Sequence, residues 1–253
     1  MKAVDTDRIT LIKEMKDFSF KQDNKKIEKL CYDLLGKENI ILIHYIGSIA
    51  YHLKSNSGDY DVMVITKKHV NLKNVSRSDN SFQLVCLKNL KFISKLDLFV
   101  VDFENAIKIH NLRSDTSSYI RNFIDSTLSL NDTLIFENEN FKRELQIYKN
   151  LNIESKIVPY YKHIIRYYKK LIYVVSPGKF RKHEHHIFRF LDNFSYFLKN
   201  GYYSHVAYGE HFNIMLDFKY SSQKEYQYYL PLLEEALSKL EKMVNNYARN
   251  TKN

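Results

Sequence analysis

Gly47-Ser48-Ile49-Ala50-Tyr51-His52-Leu53-Lys54-Ser55-Asn56-Ser57-Gly58-Asp59-Tyr60-Asp61-Val62-Met63-Val64-Ile65 is the stretch on which the reading of this 253-residue chain turns. Before it runs Ile40-Ile41-Leu42-Ile43-His44-Tyr45-Ile46, a short β-branched apolar segment that reads as a buried strand. That strand stops at Gly47-Ser48, and a short helix is expected over 49–54. The Ser55-Asn56-Ser57-Gly58 cluster then turns the chain, and a second strand follows over 59–66.

This order of elements brings two kinds of group together. Gly47 permits close backbone approach, and free N–H groups at a helix start, beside the Ser48 hydroxyl, suit phosphate oxygens. Alternation along the second strand puts the carboxylates of Asp59 and Asp61 on one face and Tyr60 and Val62 on the other. Two adjacent carboxylates repel unless a cation sits between them. Mg²⁺ is the hard cation that such oxygens share with a triphosphate. A phosphate cradle beside a metal-binding acidic pair is the minimum equipment for phosphoryl or nucleotidyl transfer. A two-metal site needs a third acid, for which Asp97 and Asp102 are the candidates. They lie five residues apart in and at the end of the strand expected over 96–101, so they face opposite ways and only one can serve.

Working outward, Ile27, Leu30, Cys31, Leu34 and Leu35 recur at helical spacing and stop at Gly36. Residues 82–87 read as a further strand. After Glu104 helical periodicity takes over, with helices expected over 104–111, 116–129, 140–151, 155–175, 180–200 and 224–248. Phe190, Phe194 and Phe197 share one stripe, as do Leu233, Leu237, Leu240, Val244 and Tyr247. Pro231 marks either the first turn of the last helix or a kink within it. The fold class is therefore α+β: a small mixed sheet with flanking helices, expected as a domain over 1–112, then a helical domain over 113–253.

Composition sets the outer limits. Hydrophobic residues are 44% and charged residues 27% of the chain, enough to bury a core and too apolar for a wholly disordered chain. Only 6 Gly and 3 Pro are present, which disfavours collagen-like and turn-dense all-β architectures. Two cysteines, Cys31 and Cys86, make neither a disulfide framework nor a Cys-based zinc site, and both read as small buried hydrophobes. No signal-peptide pattern opens the sequence and no run of about 18 apolar residues occurs, so a cytoplasmic protein (host cytoplasm if the chain is viral) with no membrane partner is expected. Lys and Arg number 39 against 29 Asp and Glu, a formal charge of +10 that favours an anionic partner such as a nucleotide or nucleic acid.

Three further clusters carry chemistry-bearing side chains. His183-Glu184-His185-His186 misses the zinc-protease pattern because residue 187 is Ile. Lys182, His186 and Arg189 fall on one helix face, where they suit either a phosphate or ordinary solvation. Tyr160-Tyr161-Lys162-His163 and Arg166-Tyr167-Tyr168-Lys169-Lys170 interleave aromatics with cations, a pattern that stacks on bases. Tyr160, Ile164, Tyr167, Leu171 and Val174 equally form a core stripe, the preferred reading, with Lys162, Arg166, Lys169 and Lys170 left to solvent.

Gly47-Ser48, an acidic pair twelve and fourteen residues after Gly47, and a later strand acid resemble the DNA polymerase beta-like nucleotidyltransferase superfamily. The stretch over 47–65 looks like its bacterial and phage "predicted nucleotidyltransferase" branch, which reads Gly-Ser-x-Ala-Tyr-Gly-Leu before Ser-Asp-x-Asp. Lys182, His186, Arg189 and Leu191, then Leu198 and Gly201, resemble a helix of the same branch. Two departures stand out: His52 replaces a second glycine, and Gly58 replaces the serine before the first aspartate. The resemblance implies an ATP-type nucleoside triphosphate held at Gly47 and Ser48, and two Mg²⁺ ions (Mn²⁺ as substitute) on Asp59, Asp61 and Asp97. Lys182, His186 and Arg189 would contact phosphate. It also implies transfer of a nucleoside monophosphate to an acceptor hydroxyl, RNA among the acceptors, with release of pyrophosphate. The alternatives are a nucleotide- or nucleic-acid-binding protein that keeps the fold without catalysis, and a toxin-type nucleotidyltransferase.

Overall fold

A computed structural model describes residues 23–50, 60–78, 82–90, 95–110, 133–150, 157–174, 184–201, 209–219 and 226–251. The chain divides into two compact units, 1–151 and 152–253.

In the first unit α1 (Asn24–Leu35) precedes β1 (Ile40–Ile46), a four-residue helix α2 (Gly47–Ala50), β2 (Tyr60–Thr66), β3 (Arg77–Ser78), β4 (Gln83–Lys88) and β5 (Lys95–Asp102). Then come α3 (Phe103–His110), β6 (Leu134–Glu137) and α4 (Lys142–Lys149). The six strands lie in the order β3-β4-β5-β2-β1-β6. β2 and β5 are parallel and the other neighbours antiparallel, so the sheet is mixed and the architecture α+β as expected.

Strand alternation sorts the side chains onto two faces. On one, Ile43, Tyr45, Tyr60, Val62, Val64, Leu96, Leu98 and Val100 form a core with Ile27, Cys31 and Leu35 of α1. Those three α1 residues recur every fourth position, which keeps them over the sheet. Gly36 ends the helix at φ 76°, its N–H bonded to Tyr32 O at 3.0 Å. The opposite face carries Leu42, His44 and Ile46 from β1, Asp61, Met63 and Ile65 from β2, and Asp97, Phe99 and Val101 from β5.

The sequence reading draws a domain boundary at 112/113, and the compact units of the structure divide at 151/152. The reason is β6, which the sequence reading did not foresee. It pairs with β1 through Leu42↔Glu137 and Ile43↔Phe136 and closes that side of the sheet. Asn138 fastens its end: its side-chain amide donates to Ile40 O at 2.9 Å and its backbone N–H to Ile41 O at 3.0 Å.

The second unit contains α5 (Ile157–Val174), α6 (His186–Asn200), α7 (Phe212–Lys219) and α8 (Tyr226–Asn250). α8 packs on both α5 and α6. Phe190, Phe194 and Phe197 are buried as expected, as are Leu233, Leu237, Leu240 and Val244. Tyr247 meets Phe197 edge-on at 5.4 Å. Pro231 lies inside α8 and not at its start. α7 was not anticipated, and the helix expected over 116–129 lies outside the described residues.

The tyrosine stripe differs in detail from its expected form. Tyr168 is buried and Tyr167 only partly, because the core side of α5 runs through Ile157, Tyr160, Tyr161, Ile164, Ile165 and Tyr168. Tyr161 meets Phe194 at 4.7 Å and Tyr168 meets Phe190 at 5.9 Å. These rings spend their faces on one another and not on bases. Lys162, Arg166, Lys169 and Lys170 are exposed, and Lys169 pairs with Glu241 of α8 at 2.6 Å.

Candidate functional site

β1 delivers the chain to Gly47, whose φ of 64° lies in the left-handed region that glycine alone enters without strain. A Cβ built there would lie 2.5 Å from Asp61 Oδ2. The missing side chain is therefore filled by the Asp61 carboxylate. Ile46, one residue earlier, is the register partner of Asp61.

Asp61 in turn is the register partner of Asp97 on the parallel neighbour β5. Residues opposite each other in adjacent strands share a face, and strands lie about 4.8 Å apart. The two carboxylates thus project side by side from the face away from α1. Lys95 Nζ lies 2.6 Å from Asp97 Oδ2, and Asp97 Oδ1 is buried with no hydrogen-bond partner. Across β5 the partner of Asp97 is Cys86. Burial, and next the Asp97 carboxylate, raise the pKa of its thiol. Cys86 is only partly buried, unlike Cys31, whose thiol is pushed up to about 12 by burial and then by Glu28. The expectation of two buried hydrophobes therefore holds for Cys31 and not for Cys86.

Asp102 has a different employment. It is the register partner of Thr66, on the face opposite Asp61, at the far end of β5. Its Oδ1 accepts from Asn105 N at 2.9 Å and its Oδ2 from the Asn105 side chain at 2.7 Å, so it caps α3.

His44 also lies on the acidic face, two residues before Ile46. It is fully buried, and its Nδ1–H donates to Tyr45 O at 3.1 Å. That bond fixes the tautomer and leaves Nε2 as a buried lone pair without a partner. Burial lowers its pKa to about 4, against the smaller opposing effect of the Tyr45 carbonyl.

The remaining expected residues are described in part. Asp59, His52, Gly58, Lys182 and His183 lie outside the described residues, and for Ser48 the backbone alone is described. His186 and Arg189 are brought together, with Arg189 Nε donating to His186 Nδ1 at 3.2 Å. Arg189 is 2% exposed, with its guanidinium 4.3 Å from the Phe190 ring centroid, so its surroundings are not those of a solvated basic face. Elsewhere in the second unit Asp192 accepts from His211 Nδ1 at 2.6 Å and His211 N at 2.9 Å. That hydrogen bond, less the effect of burial, raises the His211 pKa.

Oxygen donors at Asp61 and Asp97 fit a hard divalent cation. Among the described residues no group of three or more His, Cys, Asp or Glu side chains is assembled to hold a metal; Asp61 and Asp97 are a pair of carboxylates in register on one face. Sequence reasoning did not single out Lys95 or His44. Lys95 was legible as the residue two before Asp97, on the same face of the strand. Among the described residues no helix is long and apolar enough to cross a membrane.

No family model matches the chain, and no curated protein matches it. Among solved structures it is similar to a nucleotidyltransferase-like protein from Exiguobacterium sibiricum 255-15, at 13% identity over 90% of this chain and 75% of that one. The TM-score of that likeness is 0.32, too distant to assign a function.

Proposed function

We propose that the chain is a metal-dependent nucleotidyltransferase that moves a nucleoside monophosphate from a nucleoside triphosphate to an acceptor hydroxyl. The observation that carries this reading is the lateral pairing of Asp61 with Asp97, against a glycine whose side-chain space is filled by the Asp61 carboxylate. Gly47 and Ser48 hold the triphosphate in this reading, and Asp59, Asp61 and Asp97 hold the metal. Lys182 and Arg189 are the candidate cations for a phosphate group in this reading, and His186, whose Nδ1 accepts from Arg189, is their neutral neighbour. Mg²⁺, when bound, neutralises the triphosphate charge and acidifies the acceptor hydroxyl.

Asp97 orients the acceptor hydroxyl and receives its proton. The acceptor oxygen attacks the α-phosphorus in line, the bond to the bridging α–β oxygen breaks, and pyrophosphate leaves. Positioning of the reactants by rigid strands contributes much of the rate. The excess of positive charge favours RNA as the acceptor.

The test incubates the purified chain with labelled nucleoside triphosphates, Mg²⁺ and total cellular RNA and protein. The expected result is label in one pool and pyrophosphate in solution, both absent in Asp61→Asn and Asp97→Asn. Triphosphate binding with no label in any pool would leave a nucleotide-binding protein without catalysis.

A further inference from the structure

We infer that Lys95 is a built-in competitor for the metal: its ammonium occupies Asp97 in the metal-free protein and must leave Oδ2 for a divalent cation to bind there. The inference rests on the reading of Asp61 and Asp97 as a metal site, and deepens it by naming the residue that sets the site's affinity.

Lys95 and Asp97 are two apart on β5, so both project from the face that carries Asp61. The Nζ to Oδ2 distance of 2.6 Å is that of a short charge-assisted hydrogen bond. Oxygen lone pairs engaged by an ammonium are not offered to a metal, and a divalent ion beside that ammonium would meet like-charge repulsion. One of the two must yield. Asp97 is anchored in the middle of the sheet and 14% exposed, whereas Lys95 is 30% exposed on a flexible four-carbon stem. Lys95 can therefore move its head group towards water while the strand stays fixed.

The same ammonium has a second effect. Two carboxylates on adjacent strands repel in the absence of a cation, and a partly buried carboxylate stripped of its partner is costly. Lys95 supplies positive charge at that place before any metal arrives. Folding and metal loading are thereby separated, and the metal must outcompete a resident cation. The site then half-fills at a higher concentration of free divalent ion than it would without Lys95.

The experiment titrates Mn²⁺ into the purified full chain and into Lys95→Met by calorimetry. The expected dissociation constant is about five- to tenfold tighter in Lys95→Met, the size of one partly exposed ion pair. Metal-free Lys95→Met should also unfold at lower temperature, with Mn²⁺ raising its midpoint more than that of the wild type. Equal or weaker affinity in a folded Lys95→Met overturns the inference and leaves the metal site standing. Binding to neither protein overturns the metal reading itself.

Amine acetylation of the wild type, mapped by mass spectrometry with and without Mn²⁺, needs no variant to fold. Labelling of Lys95 should rise with metal while that of Lys199 in α6 stays level. No rise at Lys95 in metal-loaded protein overturns the competition.

Discussion

The two faces of β2 and β5 are made from alternate residues of the same strands, yet they do opposite work. One face offers Tyr60, Val62 and Val64 beside Leu96, Leu98 and Val100, in the core that α1 joins. The other offers Asp61 and Asp97 at one end and buried Met63, Ile65, Phe99 and Val101 beyond them, with His44 along β1. A slip of one residue between the strands would exchange the faces wholesale. Apolar packing on both faces therefore sets the register that keeps two repelling carboxylates abreast, a geometry the acidic pair could not enforce alone.

The largest effect expected from breaking this division is at Asp61. Asp61→Asn should lower the rate of pyrophosphate release by about a thousandfold, or about 4 kcal/mol of transition-state stabilisation, with unchanged circular dichroism. Near-normal turnover would remove Asp61 from the chemistry. The mirror-image change is Leu98→Ala on the packed face. It should cost about 3 kcal/mol of stability in urea unfolding while the turnover of folded protein is preserved.

Gly47→Ala strikes where the acidic pair meets the backbone. A methyl at φ 64°, within 2.5 Å of Asp61 Oδ2, should cost about 2 kcal/mol and weaken Mn²⁺ binding by turning the carboxylate. Wild-type stability and affinity together would show that the close approach is idle.

His44 extends the comparison to pH. Its folded pKa of about 4 lies below the ordinary histidine value of 6.5. The neutral-state advantage is complete above pH 6.5 and is lost progressively as pH falls towards 4, about 1.4 kcal/mol by pH 5.5. His211 in the helical unit has the opposite sign. Its pKa is raised, so its contribution is present below pH 6.5 and is lost as pH rises through the folded value. Denaturation curves of His44→Gln should flatten the acid limb and those of His211→Gln the alkaline one. The smallest effect belongs to Asp102→Ala, about 1 kcal/mol from the lost cap of α3, with catalysis intact.

Much of the sheet was legible because its signals are local. β1 spans 40–46 in sequence reading and structure alike, a β-branched run ended by a glycine that the turn requires. β6 was not, since Leu134-Ile135-Phe136-Glu137 is too short for periodicity and is made a strand only by Leu42, Ile43 and His44 across from it. α7 was missed for a related reason: Phe212, Met215, Leu216 and Phe218 are buried on more than one side, which erases a single apolar stripe. Tyr167 and Tyr168 differ by one position, a choice that the packing partner Phe190 makes. At the candidate site, the residue types were legible. The adjacency of Asp61 and Asp97 was not, because it depends on the register of two strands separated by β3 and β4 in the chain. Which of Asp97 and Asp102 shares the face of Asp61 was illegible for the same reason; it is Asp97.

β6 has a practical consequence for anyone cutting the chain. A fragment ending near residue 112 would leave Ile40-Ile41-Leu42-Ile43 as a bare rim of unpaired amides and carbonyls, open to strand addition by its own copies. Carrying the fragment through Lys149 supplies the capping strand together with α4, and keeps Asp61 and Asp97 in a sheet whose β1 edge is covered.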